Sequence, residues 1–179
     1  MDIRIHPVTA EDADALAHVL VTAEEHAFRG LVPDQCLTFT EAESSANWQR
    51  FLTEGVPPED HFIVAENPQE GVVGYAWGGP NTKDAVYHAE LRQIAVLTAY
   101  QGRGIGRLLV CHVARYLAKR QSHSLRVEVL QVNPNRQFYE RLGATFVSEY
   151  PYNWDGVVLP MSVYGWADTH ALWIDGCAG

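Results

Sequence analysis

The sequence predicts a single α/β domain (α+β by some schemes), and three observations carry that prediction. The chain has 179 residues, enough for one sizeable core and too few for two ordinary domains. Strand-like and helix-like runs follow one another in the order β-α-α-β-β-β-α-β-α-β-β, with no repeat, low-complexity tract or linker between them. Near the middle, an apolar run at residues 91–97 leads through Gly102, Gly104 and Gly106 into a helical run at 107–121.

The elements follow in order from local chemistry. Ile3 and Ile5 alternate with polar neighbours as a first strand. Thr9 resembles an N-cap with Glu11 and Asp12 in the first turn, and Leu16, Val19, Leu20 and Ala23 recur at helical spacing to about residue 26. Gly30 and Pro33 break that pattern. A second helix runs from about Thr40 or Glu41 to Leu52, with Trp48, Phe51 and Leu52 on one face. Strand-like runs at 61–66 and 72–77 flank the turn residues 67–71 and make a hairpin. Residues 85–97 form a long strand, and 125–130 alternate as another. Residues 133–144 read as a short helix closed by Gly143. Strands at 145–150 and 159–166 complete the order, and 167–179 carry no pattern.

Composition narrows the class. Hydrophobic residues make up 47% and charged residues 20%, the profile of a folded globular chain. No apolar run is long enough to cross a bilayer, and residues 1–6 lack the basic-then-apolar form of a signal peptide, so a cytoplasmic protein without a membrane partner is expected. Thirteen basic against 22 acidic residues, a formal charge of -9, argue against nucleic acid as a partner and suit a cationic amine. Cys36, Cys111 and Cys177 are far apart with no Cys-x-x-Cys spacing; structural thiols are expected, without metal or a disulfide framework.

The stretch Gln101, Gly102, Arg103, Gly104, Ile105, Gly106 carries the chemistry. Its glycines leave backbone N–H groups uncovered at a helix start, where the dipole favours an anion, and Arg103 and Arg107 add charge beside them. A P-loop would need Gly-Lys-Ser/Thr, but Arg107 and Leu108 follow Gly106. A dinucleotide fingerprint would need glycine where Arg107 stands. What remains, Gln-x-x-Gly-x-Gly after a strand, resembles the acyl-CoA-binding motif of the GCN5-related N-acetyltransferases (GNAT superfamily). Asn133 followed by Phe138, Tyr139, Glu140, Arg141, Leu142 and Gly143 is similar to the second half of the same family's cofactor site.

The resemblance covers roughly residues 3–166 and implies a single domain over 1–179, with its motif core at about 88–147. It implies a central mixed, mostly antiparallel sheet of about six to seven strands flanked by about four helices. It also implies an acetyl-CoA-dependent transfer to a small-molecule or peptide amine, with self-association as a homodimer left open. Backbone amides of Gln101, Gly102, Arg103, Gly104, Ile105 and Gly106 would bind the pyrophosphate, with Arg103 or Arg107 reaching a phosphate. Ile94, Ala95 and Val96 would run beside the pantetheine, and Asn133 would hydrogen-bond it, with Arg136 in the same segment.

Tyr139 matches the family's tyrosine beside the cofactor sulfur and is the expected acid; packing against the sheet is the alternative. Adjacent helical residues point about 100° apart, so Phe138 and Tyr139 are not both expected in the core. Asn133 could equally be a helix N-cap, with Pro134 at the first helical position. Glu90, eleven residues before Gln101, is the expected base, against the alternative of a cross-strand ion pair. His88, two residues earlier and so on the same strand face, and Glu128 are weaker options. The acceptor would be set by residues 28–36, by the segment after Trp77, and by 150–155. A non-catalytic acyl-CoA-binding module of the same fold stays open, since fold alone does not separate the two.

Overall fold

The computed structural model describes residues 2–174. Its elements are β1 (Arg4–Pro7), α1 (Ala13–Phe28), α2 (Glu41–Glu54), β2 (His61–Asn67), β3 (Gly71–Pro80), β4 (Ala89–Val96), α3 (Ile105–Ala118), β5 (Leu125–Leu130), α4 (Arg136–Arg141), β6 (Thr145–Trp154), β7 (Val157–Trp166) and α5 (His170–Ile174). The seven strands form one sheet in the order β1-β2-β3-β4-β5-β7-β6, antiparallel except for β4 beside β5. This is the expected mixed, mostly antiparallel sheet. The extra helix, α5, starts in a tail where no pattern was expected.

The hydrophobic periodicities explain how the layers pack. Along β2, Ile63 and Ala65 face one side and Phe62 and Val64 the other. The first side joins Leu109, Val113 and Leu117 of α3 in the main core. The second meets Leu16 and Val19 of α1, with Trp48 and Phe51 of α2 packed behind. A capping box starts α2, where the Thr40 hydroxyl accepts from the Glu43 N–H at 3.2 Å and the Glu43 carboxylate accepts in return.

Among the expected boundaries that move, three bear on the site. The strand expected from 85 begins only at Ala89, because residues 81–88 form a loop pinned by Asn81, whose side chain donates to the Tyr87 carbonyl at 2.9 Å. The strand expected over 145–150 runs on to Trp154 and turns through Asp155 and Gly156, both at positive φ, into β7. Asn133 does not cap α4: the helix starts at Arg136, and the Asn133 carboxamide instead accepts from the Asn135 N–H at 2.8 Å in the preceding turn.

Of the cysteines, Cys36 is a free, fully buried thiol, whereas Cys111 is disulfide-bonded, which departs from the expectation of thiols throughout. Pairing depends on Cβ separation in the fold, and spacing along the chain does not report that. Cys177 lies outside the described residues.

The feature that positions the site is where β4 and β5 part. They pair only over Ala89, Glu90 and Leu91 against Leu125, Arg126 and Val127. Beyond Leu91 a bulge at Arg92 re-aims β4, which continues to Val96 paired with β3 alone. β5 continues to Leu130 paired with β7 alone. Two strand edges therefore diverge in the middle of the sheet, each with backbone groups free to pair with an inserted chain.

Candidate active site

The glycines after β4 do two different jobs. Gly102 (φ +72°) and Gly104 (φ +86°) sit in the left-handed region, and a Cβ on either would meet nothing within 4 Å. Backbone handedness selects glycine there, and the space above stays open. At Gly106 a Cβ would come within 3.1 Å of the Phe138 ring, so this glycine lets α4 close against α3.

Gly104 is the N-cap of α3 and offers no side-chain cap. The first intrahelical bond runs from the Leu108 N–H to the Gly104 carbonyl at 3.0 Å. The N–H groups of Ile105, Gly106 and Arg107 therefore have no partner within the helix, and the dipole reinforces them. An open, positively polarised concavity of this kind fits a phosphate.

The concavity is one end of a cleft of about 500 Å³ that runs past the diverging strands to α1. Ile94, Ala95 and Val96 form its β4 wall, and Gln101, Gly102, Gly104, Gly106 and Arg107 its glycine end. Asn133 and Tyr139 close the far side. Three expected residues lie off its walls. Arg103 sets its guanidinium over the Tyr100 ring, 5.2 Å from the centroid. Ile105 buries its side chain in the main core, so only its backbone N–H is available. Arg136 starts α4 outside the cleft, with its charge acting on Tyr164.

Tyr139 is 8% exposed and packs against Phe138, Tyr164 and Trp166. Burial pushes its phenol up to about 12, so the hydroxyl stays protonated across the neutral range. Among the described residues no group hydrogen-bonds that hydroxyl, which leaves it to a ligand in the cleft. Contrary to expectation, Phe138 and Tyr139 both pack inward: α4 lies between two walls, with Phe138 over Gly106 and Tyr139 on β7.

Glu90 occupies a different environment. It is 3% exposed, sits beside Arg126 in the β4–β5 register, and its carboxylate lies 2.8 Å from the Lys83 ammonium. Arg126 Nε and one Arg92 nitrogen stand 3.8 Å away. Glu128 joins the same network through Lys83 and Arg126. Neither acid lines the cleft. Glu128, Lys83 and Arg126 border a separate hollow of about 450 Å³. His88 is exposed and lies in the loop before β4, with its N–H donating to Ser124 Oγ at 2.9 Å. The geometry thus brings Tyr139 and the cradle together and leaves Glu90, His88 and Glu128 outside.

Two of the three segments expected to set the acceptor meet in space. Phe28, a cleft residue, packs edge-to-face on Trp154 with ring centroids 5.6 Å apart. Gln35 Nε2 donates to the Asp155 carbonyl at 3.1 Å. The loop after α1 is thereby docked on the tip of the β6–β7 hairpin. The third segment, residues 78–88, borders the Lys83–Glu128 hollow instead.

One cleft residue escaped sequence reasoning altogether. Glu24 of α1 is half-buried on the cleft wall, and burial raises its carboxyl to about 7. The signal was present: Leu16, Leu20, Glu24 and Phe28 form an i, i+4 ladder, which places an acid on the apolar stripe.

In sequence and fold the chain is similar to known proteins. The family model for the acetyltransferase (GNAT) family matches residues 22–144. Over 172 residues the chain is 27% identical to YuaI of Bacillus subtilis (strain 168), an uncharacterized N-acetyltransferase, covering 95% of this chain and 96% of that protein. PaiA N-acetyltransferase from Thermoplasma acidophilum, solved in complex with coenzyme A, superposes with a TM-score of 0.63 at 17% identity, covering 90% of this chain and 98% of that one. YncA from Salmonella typhimurium, solved with acetyl-CoA, gives a TM-score of 0.65 at 19% identity over 93% and 94% of the two chains. Among the described residues, no helix is long and apolar enough to cross a membrane, and no cluster of side chains could hold a metal.

Proposed function

The chain belongs to the acetyltransferase (GNAT) family and is an acetyltransferase, and on that premise we propose that it moves an acetyl group from acetyl-CoA to a primary amine by direct transfer in a ternary complex. One observation carries the reading. A notch between diverging strands leads from an open, left-handed glycine cradle to an unpartnered tyrosine hydroxyl, all on one cleft.

Each part of that cleft fits a part of the cosubstrate. The N–H groups of Ile105, Gly106 and Arg107 would take the pyrophosphate, with the Arg107 side chain beside them. The edge of β4 at Ile94, Ala95 and Val96 would hydrogen-bond the pantetheine as an added strand. Asn133 faces the same slot. Tyr139 would donate a hydrogen bond to the sulfur as it departs. A phenol raised to about 12 is a weaker proton donor than a free tyrosine, so its main contribution is to stabilise the thiolate. Holding both reactants in one cleft supplies the rest through orientation.

Glu90, the base expected from the sequence, lies off the cleft with its carboxylate committed to Lys83, Arg92 and Arg126, whereas a base must reach the amine. The test is acetyl-CoA-dependent thiol release with a diamine, a polyamine, free amino acids and a peptide N-terminus. Turnover of at least one is expected. Coenzyme A binding without turnover of any would identify a non-catalytic binding module.

A further inference from the structure

We infer that Glu24 is the general base that deprotonates the amine acceptor, an assignment that rests on the amine-transfer reading above. Among the described residues that line the cleft, its carboxylate is the only one. Its neighbour Glu25 is engaged with Arg29 one turn on. Among the described residues Glu24 itself makes no ion pair and no hydrogen bond. It lies close enough to the Tyr75 hydroxyl for its charge to act on that group, and Tyr75 is fully buried with no hydrogen-bond partner. Tyr75 pairs with Ala95 across β3 and β4, which ties Glu24 to the stretch of β4 that would flank the thioester.

The surrounding groups leave the carboxylate poised. Arg107 of α3 and Arg141 and Tyr139 of α4 line the same cleft, yet burial alone sets its titration near 7, with no cation offsetting it. On α1, His26 is exposed and His18 is engaged with Glu41 of α2 at 2.9 Å. A carboxylate on the cleft wall, half charged near neutral pH and without a partner among the described residues, has the access and the basicity that a general base needs.

The step balances. The acceptor ammonium gives one proton to Glu24, and its nitrogen lone pair forms the N–C bond at the thioester carbonyl. The C–S bond breaks to a thiolate held by the Tyr139 hydroxyl. The second excess proton on the new amide nitrogen passes through water to the sulfur, and Glu24 releases its proton to solvent. The products are the amide, the coenzyme A thiol and one proton.

The test uses the full-length enzyme and Glu24→Gln. In protein labelled with ¹³C at glutamate carboxyls, wild type should show one carboxyl titrating near pH 7, absent from the variant. With whichever panel amine wild type acetylates, Glu24→Gln should lose about 10²-fold or more in kcat at pH 7 and recover as pH rises and free amine accumulates. It should keep its coenzyme A affinity. If all glutamates titrate in the ordinary range, or if the variant keeps the wild-type pH–rate profile, the assignment is overturned while the transferase reading stands. If wild type acetylates no amine, the transferase reading itself falls, and the base with it.

Discussion

The side-chain amide of Gln101 donates to the carbonyl oxygen of Val96 at 2.9 Å. The first residue of the glycine motif therefore faces back to the strand it follows. It fixes the turn between β4 and α3 and leaves the glycine end of the cleft lined by backbone N–H groups. The motif is thus a backbone device, which sets up the first prediction.

Coenzyme A should raise the Tm of the wild-type protein, by about 2.7 kcal/mol of added stability at a hundredfold excess over Kd. Gly104→Val should abolish that shift. The substitution forces a β-branched residue to φ +86° and fills the open space over the turn. A folded Gly104→Val protein that still responds to coenzyme A in a thermal melt would remove the cradle assignment.

Tyr139→Phe should lower kcat by about 10²-fold with little change in coenzyme A affinity. Its stability should not fall, because the deleted hydroxyl has no hydrogen-bond partner among the described residues and its removal leaves no donor or acceptor there stranded. Turnover near wild type under conditions where chemistry limits the rate would leave Tyr139 with a packing role alone.

Glu24 also makes a prediction about stability, and its sign is fixed by linkage. Its folded carboxyl titrates at about 7 against an ordinary 4.5, so the native state holds the proton more tightly. The resulting stabilisation is complete below about pH 4.5 and is lost as pH rises to about 7. Glu24→Gln should therefore match wild type near pH 4 and exceed it at pH 8. Allowing for solvent screening at a half-buried site, the gain is about 1–2 kcal/mol, or about 2–6 °C in Tm. Equal melting curves at pH 8 would show that the ionised carboxylate costs nothing there.

Glu90→Gln should behave in the opposite way. It removes the negative partner of Lys83 and of Arg126, whose side chain is 7% exposed. Breaking a buried ion network of this kind costs about 3 kcal/mol, measurable in urea. Its pH–rate profile should be that of wild type. Loss of the rising limb in Glu90→Gln, with Glu24→Gln unaffected, would return the base to β4.

Much of the fold was legible because periodicity and turn chemistry are local. The alternations at 61–66 and 125–130, the glycines at 102–106 and the closing Gly143 each act within a few residues, and the structure keeps all of them. The strand expected from residue 85 started late for a reason that alternation does not encode, since Asn81 and Ser124 hold the backbone of residues 87 and 88.

By itself the sequence determined the element order, the glycine turn that opens α3, and the presence of Tyr139 on the element that closes the cleft. Only the tertiary structure decided which acids face that cleft. Glu90 and Glu24 are both glutamates on elements that pack against the core. The parallel pairing of Glu90 with Arg126 delivers one to a ring of cations. The packing of α1 across β3 and β4 delivers the other to the cleft with no ion-pair or hydrogen-bond partner among the described residues. The charge state and reach of a carboxylate depend on groups distant in the chain but near in space, and a linear reading does not contain those distances.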